Sequence, residues 1–526
     1  MKFSKFTLQN FRSFKTRQEL KLAIPNGELG SGLTYIVGEN NSGKTSLLEA
    51  LQKHNGDTLR SSEYSHDSTS EFTIFGDDDC IKSKLCPIRE ASYTLIATDT
   101  YRLDDSEYPL FIPSRRHWNA RVNNKDRDPN ELLRGAQRNS LRRIENSGSY
   151  YSDVEVSGLL QTIEKDQAKY NEFINLVKQV LPDFTSFAIA NDDYEYVEYV
   201  TNGSIKHRAD FLGDGVISIL RIVGHLIQYT NIPLVIDEPE LSLHPLAQKR
   251  LVKLLAEKAK KQQIIISTHE PYFVVWEYIR NGAVLNKVTK YNDNEAKIHT
   301  LKASSEYEKL INAGNNWQKP FMMDEIAKEV FFCDDILFVE GQEDVGLLRS
   351  DNAIPDNVTL FGYGVGGYSN FDISLKLAHD IGVRRAAILI DYGDGETRLR
   401  KSLESDYPNY KIIQWAKNDI RDKYIENSSG VRRQCKKGYF DEHGHKKSGT
   451  ELGDYDEKID IVKEYFAMPE IKAPTRPKQE HSESKIKQGV RNPETAEKHE
   501  KLYRWMSKSR LLLWLRHIIN SLKRRR

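Results

Sequence analysis

Residues 38–45 read G-E-N-N-S-G-K-T, the spacing G-x-x-x-x-G-K-[ST] that cradles phosphate. Gly38 and Gly43 free the backbone to curl, so that N–H groups along Asn40, Asn41, Ser42 and on to Ser46 surround phosphate oxygens. Lys44 is placed to reach the β- and γ-phosphates, and the Thr45 hydroxyl to ligate Mg²⁺. A helix opening there adds its N-terminal dipole. Downstream, "IPLVIDEPELSLHP" (232–245) ends an apolar run in Asp237 and Glu238. Asp237 enters the Mg²⁺ shell, directly or through water, and Glu238 sits where a base polarises the attacking water. A third apolar run, "QIIISTHEP" (263–271), ends in His269. In "FLGDGVISIL" (211–220), Gly213, Asp214 and Gly215 stand before a helix; phosphate contact and an ordinary helix cap are both open readings. The chemistry these residues suit is binding and hydrolysis of ATP with Mg²⁺.

A second set of acids follows. "DDILFVEG" (334–341) ends an apolar run in Glu340, with Asp344 four residues on in the first turn of a helix. "VRRAAILIDYGDGE" (383–396) ends another in Asp391 and Asp394. Adjacent strand ends in a parallel sheet lie about 5 Å apart. Carboxylates at that spacing repel unless a cation lies between them, so a divalent site is expected, with Glu340, Asp344, Asp391 and Asp394 as candidate ligands. Oxygen-only ligands favour Mg²⁺ or Mn²⁺, and such a site suits phosphodiester cleavage, with Glu340 and Asp391 as its catalytic acids. Asp419 and Asp422 are weaker candidates, and helix-capping acids are the plain alternative.

Positioning these residues takes strands that alternate with helices, the pattern of an α/β fold. The sequence predicts strand, glycine turn and helix over 33–51, then helix 215–229, strand 232–236, helix 245–260 and strand 263–267. A second round follows: strand 335–339, helix 343–350, strand 357–361, helix 369–381 and strand 386–390. "KFTLQNFRSF" (2–14) alternates like an edge strand, and short alternating runs in 60–130, "SEFTIFG", "SYTLIATDTYRL" and "YPLFIPSRRHW", suit the antiparallel half of an ATPase sheet. A polar helical insertion covers about 127–185, with "LLQTIEKDQAKYNEFINLVKQVL" (159–181) at helical spacing; an arm or dimer surface is one reading of it. "YEYVEYVTNGSIKHRADF" (194–211) is a hairpin turning at Asn202-Gly203. The expected domains are 1–302, a helical linker 303–330, 331–430, and a basic extension 431–526 that closes in an amphipathic helix.

Composition narrows the classes. At 526 residues the chain exceeds one ordinary core. With 38% hydrophobic and 29% charged residues it reads as globular rather than disordered. No apolar run reaches the about 18 residues a membrane helix needs, and the start has no secretion signal. The four cysteines are scattered without zinc spacing, which suits free thiols in the cytoplasm. Residues 431–526 carry 24 Lys/Arg against 14 Asp/Glu, a net of +10, while the rest nets −9. A basic C-terminal quarter suggests contact with a polyanion, and a solvated charged surface is the alternative.

The motifs "LQNFRSF", the P-loop, Asp-Glu-Pro-Glu with "SLHP", and "STHEP" together resemble the RecF/SMC/OLD branch of ABC-type ATPases over roughly 1–285. The resemblance implies ATP held between two heads, hence at least a dimer. Gly213, Asp214 and Gly215 would then reach the partner's nucleotide, and His269 would sense the γ-phosphate. The strand-Glu-Gly, Asp, Gly366-Gly367 and strand-Asp order resembles a Toprim domain, with Asp-Tyr-Gly-Asp departing from the usual Asp-x-Asp. An ATPase head followed by Toprim is the layout of OLD-family ATP-dependent nucleases, which residues 1–430 resemble. Gabija nucleases and the PARIS system, whose two parts are sometimes fused, belong to this circle. The resemblance implies cleavage of DNA or RNA, tRNA included, in anti-phage defence, with a phage-encoded trigger. The competing expectation is an ATP-switched sensor or scaffold whose Toprim acids have decayed.

Overall fold

The computed structural model describes residues 2–53, 69–76, 82–87, 109–114, 152–191, 195–208, 213–291, 294–302, 304–307, 326–426 and 432–468. The described residues form one compact unit. Its main sheet runs, in spatial order, Ala296–Thr300, Val284–Lys290, Leu33–Val37, Ile264–Ser267, Leu234–Asp237 and Leu110–Ile112. All neighbours are parallel except the antiparallel edge strand Ala296–Thr300. Leu33–Val37, Leu234–Asp237 and Ile264–Ser267 are buried at every position, as continuous apolar strands covered on both faces must be. Their carboxyl ends therefore open together at one edge, where ligands bind in parallel sheets.

Residues 108–118 were expected in the antiparallel sheet. Instead Leu110–Ile112 pairs in parallel with Leu234–Ile236. Three consecutive buried apolar residues carry no alternation that would mark a half-exposed strand. The antiparallel sheet runs Gln18–Lys21, Phe3–Gln9, Thr69–Gly76 and Lys82–Pro87, so Phe3–Gln9, expected at an edge, is paired on both sides. The run 92–103 lies outside the described residues, as does the stretch where a C-terminal amphipathic helix was expected.

The described part of the helical insertion does not stand out as an arm. It is two helices, Ser152–Glu164 and Gln167–Val180, broken where the Asp166 side chain accepts the N–H groups of Ala168 and Lys169. Val156, Leu160, Phe173 and Val177 are fully buried in the core that also holds helix Asp214–Gln228. The meander Phe184–Asn191, Glu195–Thr201 and Ile205–Arg208 turns at Asn202 and Gly203, both at positive φ, as expected of Asn-Gly.

A second sheet orders Thr359–Leu360, Asp335–Phe338, Arg385–Ile390 and Lys411–Gln414, all parallel. The hairpin Lys423–Glu426 and Arg432–Lys436 follows. Helix Tyr455–Ala467 then packs onto this sheet, with the Tyr455 ring stacked 5.5 Å from that of Trp415. Packing thus runs past residue 430 to at least Phe466. One buried cluster spans Tyr35, Trp276, Phe331 and Ile388, so the two sheets share a continuous core. Among the described residues, no helix is long and apolar enough to cross a membrane.

Candidate functional site

The first site forms where strand Leu33–Val37 leaves its sheet. Gly38, Asn41 and Gly43 all have positive φ, so the chain curls back on itself before helix Lys44–Lys53. A side chain at residue 38 would meet the Val288 carbonyl at 2.3 Å, which excludes anything larger than glycine. Lys44 Nζ donates to the carbonyls of Gly38 at 3.0 Å and Glu39 at 2.8 Å. Burial pushes the Lys44 amine down to about 8, against the charges of Glu238, Asp237 and Glu240. Thr45 is exposed at the helix start and Ser46 follows it.

The acids arrive from the next two strands. Asp237 is buried and accepts from the Ser267 hydroxyl, while the Glu238 N–H donates to the Ser267 carbonyl at 3.0 Å. Glu238 has φ +47, an unusual region for glutamate, and its carboxylate lies 3.4 Å from His269 Nε2. The structure therefore brings Lys44, Asp237, Glu238 and His269 together. It adds Glu240, whose carboxylate accepts from the Thr268 hydroxyl and the His269 N–H, each at 2.8 Å. Burial raises the Glu240 carboxyl to about 6 although these donors oppose it. Glu240 and Ser267 escaped the sequence reading as site residues; the second acid of Asp-Glu-Pro-Glu was the available signal for Glu240.

Gly213 caps helix Asp214–Gln228, and Gly213 and Asp214 are exposed. Gly215 is buried, and a Cβ there would lie 2.4 Å from the Ser242 carbonyl. The loop after Glu238 thus rests directly on the start of this helix.

The second site lies at the carboxyl edge of the second sheet. Glu340, Asp344, Asp391 and Asp419 line one cavity of about 310 Å³, together with Glu343, Lys423 and Lys436. The N–H groups of Gly366 and Gly367 both donate to the Glu340 carbonyl, at 2.9 and 3.1 Å. A Cβ on Gly364 would fall 2.6 Å from the Gly341 Cα, so this glycine-rich exit holds the acid strand in place. Asp344 accepts the Gly341 N–H at 2.8 Å and is thereby fixed facing the cavity.

These acids press on one another. Burial, then the charges of Asp344, Glu340 and Asp419, push the Asp391 carboxyl up to about 8. Burial, Glu340 and Asp419 carry Asp344 to about 7. Glu340 is raised by burial and by Glu396 and Asp419. Asp419 behaves oppositely: burial works against its charge, but Lys423 at 2.7 Å and Lys436 at 2.9 Å hold it low. Glu343 pairs with Arg421 at 2.7 Å and Lys423 at 3.0 Å.

Asp394 is not in this cavity. It is exposed as the first residue of helix Asp394–Asp406, and Gly393 before it is extended at φ −179, with no turn towards Asp391. Its place in the lining is taken by Asp419, from the chain beyond strand Lys411–Gln414. Of the two weaker candidates, Asp419 enters the lining while Asp422 pairs with Lys447 at 2.8 Å; no spacing rule marks Lys423 and Lys436, which come from a hairpin.

The donor set suits a hard divalent cation: all oxygen, mutually repelling, with Glu340 Oε2 buried and lacking a hydrogen-bond partner among the described residues. As placed, no three His, Cys, Asp or Glu side chains among the described residues close into a ready metal cage. Glu340, Asp344 and Asp391 are the cavity carboxylates that could hold such an ion. At the first site, Thr45 and Asp237 are the oxygen groups that could hold Mg²⁺.

Residues 33–275 match the family profile described as "AAA domain, putative AbiEii toxin, Type IV TA system". A curated relative, an OLD nuclease of Thermus scotoductus, is 26% identical over 204 residues, which is 36% of this chain and 37% of that protein's own length. Among solved structures, the SMC head domain of Thermotoga maritima is 16% identical with a TM-score of 0.34, covering 57% of this chain and all of that one. An Smc head with an extended coiled coil from Pyrococcus furiosus is 14% identical with a TM-score of 0.39, covering 60% and all. Residues 33–275, which carry the curled glycine loop and the Asp237-Glu238 strand end, are thus similar to this AAA domain family, and the chain is similar in sequence to an OLD nuclease.

Proposed function

We propose that the chain is an ATP-gated, metal-dependent nuclease acting on DNA or RNA, tRNA included, and that it serves in anti-phage defence. In this reading Lys44, Thr45 and Asp237 hold Mg-ATP, and Glu238, steadied by His269, polarises the attacking water. Glu340 and Asp391 hold Mg²⁺ or Mn²⁺ in the second cavity, with Asp344 behind them. The metal supplies charge stabilisation as a phosphodiester breaks. The observation that carries the reading is the gathering of Glu340, Asp344 and Asp391 on one cavity at a parallel-sheet edge, far in sequence from the nucleotide acids. Gly213 and Asp214, exposed at a helix start, suit contact with a second copy's nucleotide, which makes a dimer the smallest active form.

The test is incubation of the full chain with plasmid DNA or with tRNA, in Mg²⁺ or Mn²⁺, with and without ATP. Cleavage that disappears in Glu340→Ala supports the nuclease. Cleavage of neither substrate by the wild type, or cleavage that survives Glu340→Ala, overturns it. The displaced Asp394 and the lysines beside Asp419 favour the second reading, a nucleotide-switched sensor or scaffold. That reading predicts ATP hydrolysis with no cut ends.

A further inference from the structure

Glu39 is the second residue of the phosphate loop, yet its side chain turns away from the loop. Its Oε1 accepts the backbone N–H of Asp334 at 2.7 Å, across 295 residues of sequence. Asp334 stands immediately before strand Asp335–Phe338, which leads to Glu340. The Asp334 carbonyl accepts the N–H groups of Arg384 and Arg385, both at 3.0 Å, at the root of the strand that leads to Asp391. Its carboxylate pairs with Arg384 at 2.8 Å and Lys287 at 3.5 Å. Lys287 is fully buried, donates also to the Cys333 carbonyl, and lies opposite Val37 in the strand beside the one that feeds the loop. One residue, Asp334, thus ties the roots of both acid-bearing strands, and one carboxylate of the phosphate loop holds it.

The other end of Glu39 is engaged by the loop lysine. Lys44 donates to the Glu39 carbonyl at 2.8 Å. A phosphate in the loop competes for that amine, because Lys44 is the group that reaches β- and γ-oxygens. When Lys44 turns to phosphate, the Glu39 peptide loses a donor, and its side chain and the short bond to Asp334 move with it. Burial and the Asp334 charge both disfavour a charged Glu39, while Arg384 and Lys287 offset them, so the cluster is held by mutual compensation. Networks of this kind in a packed core shift between discrete arrangements rather than deforming smoothly.

We infer that Glu39 is a positioning residue that couples occupancy of the phosphate loop to the placement of the strands carrying Glu340 and Asp391. The inference takes from the proposed function only that ATP occupies the loop; it needs no cleavage.

The experiment is hydrogen exchange of the full chain with and without Mg-ATP, read by mass spectrometry over 334–341 and 384–391, with ATP binding titrated on the same samples. In the wild type, exchange over 334–341 changes by about fivefold or more on adding Mg-ATP, the low end of ordinary coupling. Arg384→Gln, outside the phosphate loop, binds ATP as the wild type does but cuts the change to under about twofold. Glu39→Ala also loses the change, and Glu39→Gln, whose amide oxygen still accepts the Asp334 N–H, retains it. If Glu39→Ala does not fold, Arg384→Gln carries the test. A wild type that binds ATP without a change over 334–341 overturns the coupling alone. An undiminished change in Arg384→Gln or Glu39→Ala does the same. A wild type that fails to bind ATP overturns the nucleotide reading and the coupling together.

Discussion

The two acid sites sit at the carboxyl edges of two parallel sheets, and they balance charge in opposite ways. Around the phosphate loop, Lys44 lies among Asp237, Glu238 and Glu240; the Ser267 hydroxyl donates to Asp237, and the Thr268 hydroxyl and the His269 N–H share one oxygen of Glu240. That site carries its own cation, a buried amine, before any ligand arrives. In the second cavity the lysines pair with Asp419 at one side, and Glu340, Asp344 and Asp391 are left pushing each other's carboxyls upward. A site with a built-in cation recognises an anion. A site with surplus carboxylates recognises a cation.

The largest expected effect separates the two. Glu340→Ala or Asp391→Ala should lower nucleic-acid cleavage by roughly a thousandfold, the worth of several kcal/mol of metal-supplied stabilisation, while phosphate release from ATP continues. Lys44→Ala should abolish binding of a fluorescent ATP analogue and leave Mn²⁺ binding at the second cavity intact. If ATP hydrolysis fell equally in Glu340→Ala, the two sites would not be chemically separate.

Glu238→Gln should bind ATP but hydrolyse it about a hundredfold more slowly, since it loses the base that polarises water. The variant should accumulate as a nucleotide-bound dimer on gel filtration. Hydrolysis at the wild-type rate would move the base to Glu240, the other acid at that strand end.

Asp419→Asn and Asp394→Asn sharpen the second cavity. Asp419→Asn should weaken Mn²⁺ binding, followed by electron paramagnetic resonance, by about tenfold. Asp394→Asn, at an exposed helix start, should change it by less than about twofold. The reverse order would make Asp394 the ligand and Asp419 merely the partner of the lysines.

The smallest effect is a pH dependence of melting. Folded Asp344 and Asp391 keep their protons up to about 7 and about 8, whereas the unfolded chain releases them near pH ~4. Between those limits the folded state binds more protons, so these groups' contribution to stability is fullest at the acid end and falls as pH rises. Without metal, the Tm of the wild type should therefore drop relative to Asp391→Asn between about pH 4 and 8, and Mg²⁺ should narrow the gap. A constant difference across that window would mean that the acids do not strain the fold.

Much of this was legible from residue order. The apolar runs before Gly38, Asp237, Ser267, Glu340 and Asp391 became buried parallel strands, because four or five consecutive apolar residues between turns bury on both faces. The Asn202-Gly203 turn formed where its dipeptide requires positive φ. Leu110–Ile112 was misplaced because three residues are too few to show a period. Helical spacing in 159–181 does not reveal which helix its apolar face will meet, so the burial of Phe173 and Val177 against the core was not legible along the chain.

Local order sets the chemistry that a phosphate loop or a strand-end acid is able to perform, since glycine torsions and side-chain types act over a few residues. It also places those groups at strand ends, because buried strands stop where polar residues begin. Which strand ends become neighbours is a property of the sheet. Asp419 replaced Asp394 in the cavity because lateral strand order, not spacing along the chain, decides which carboxylates face one another. The bond from Glu39 to Asp334 is of the same kind: each residue is ordinary in its own segment, and only the packing of two sheets on one core puts 2.7 Å between them.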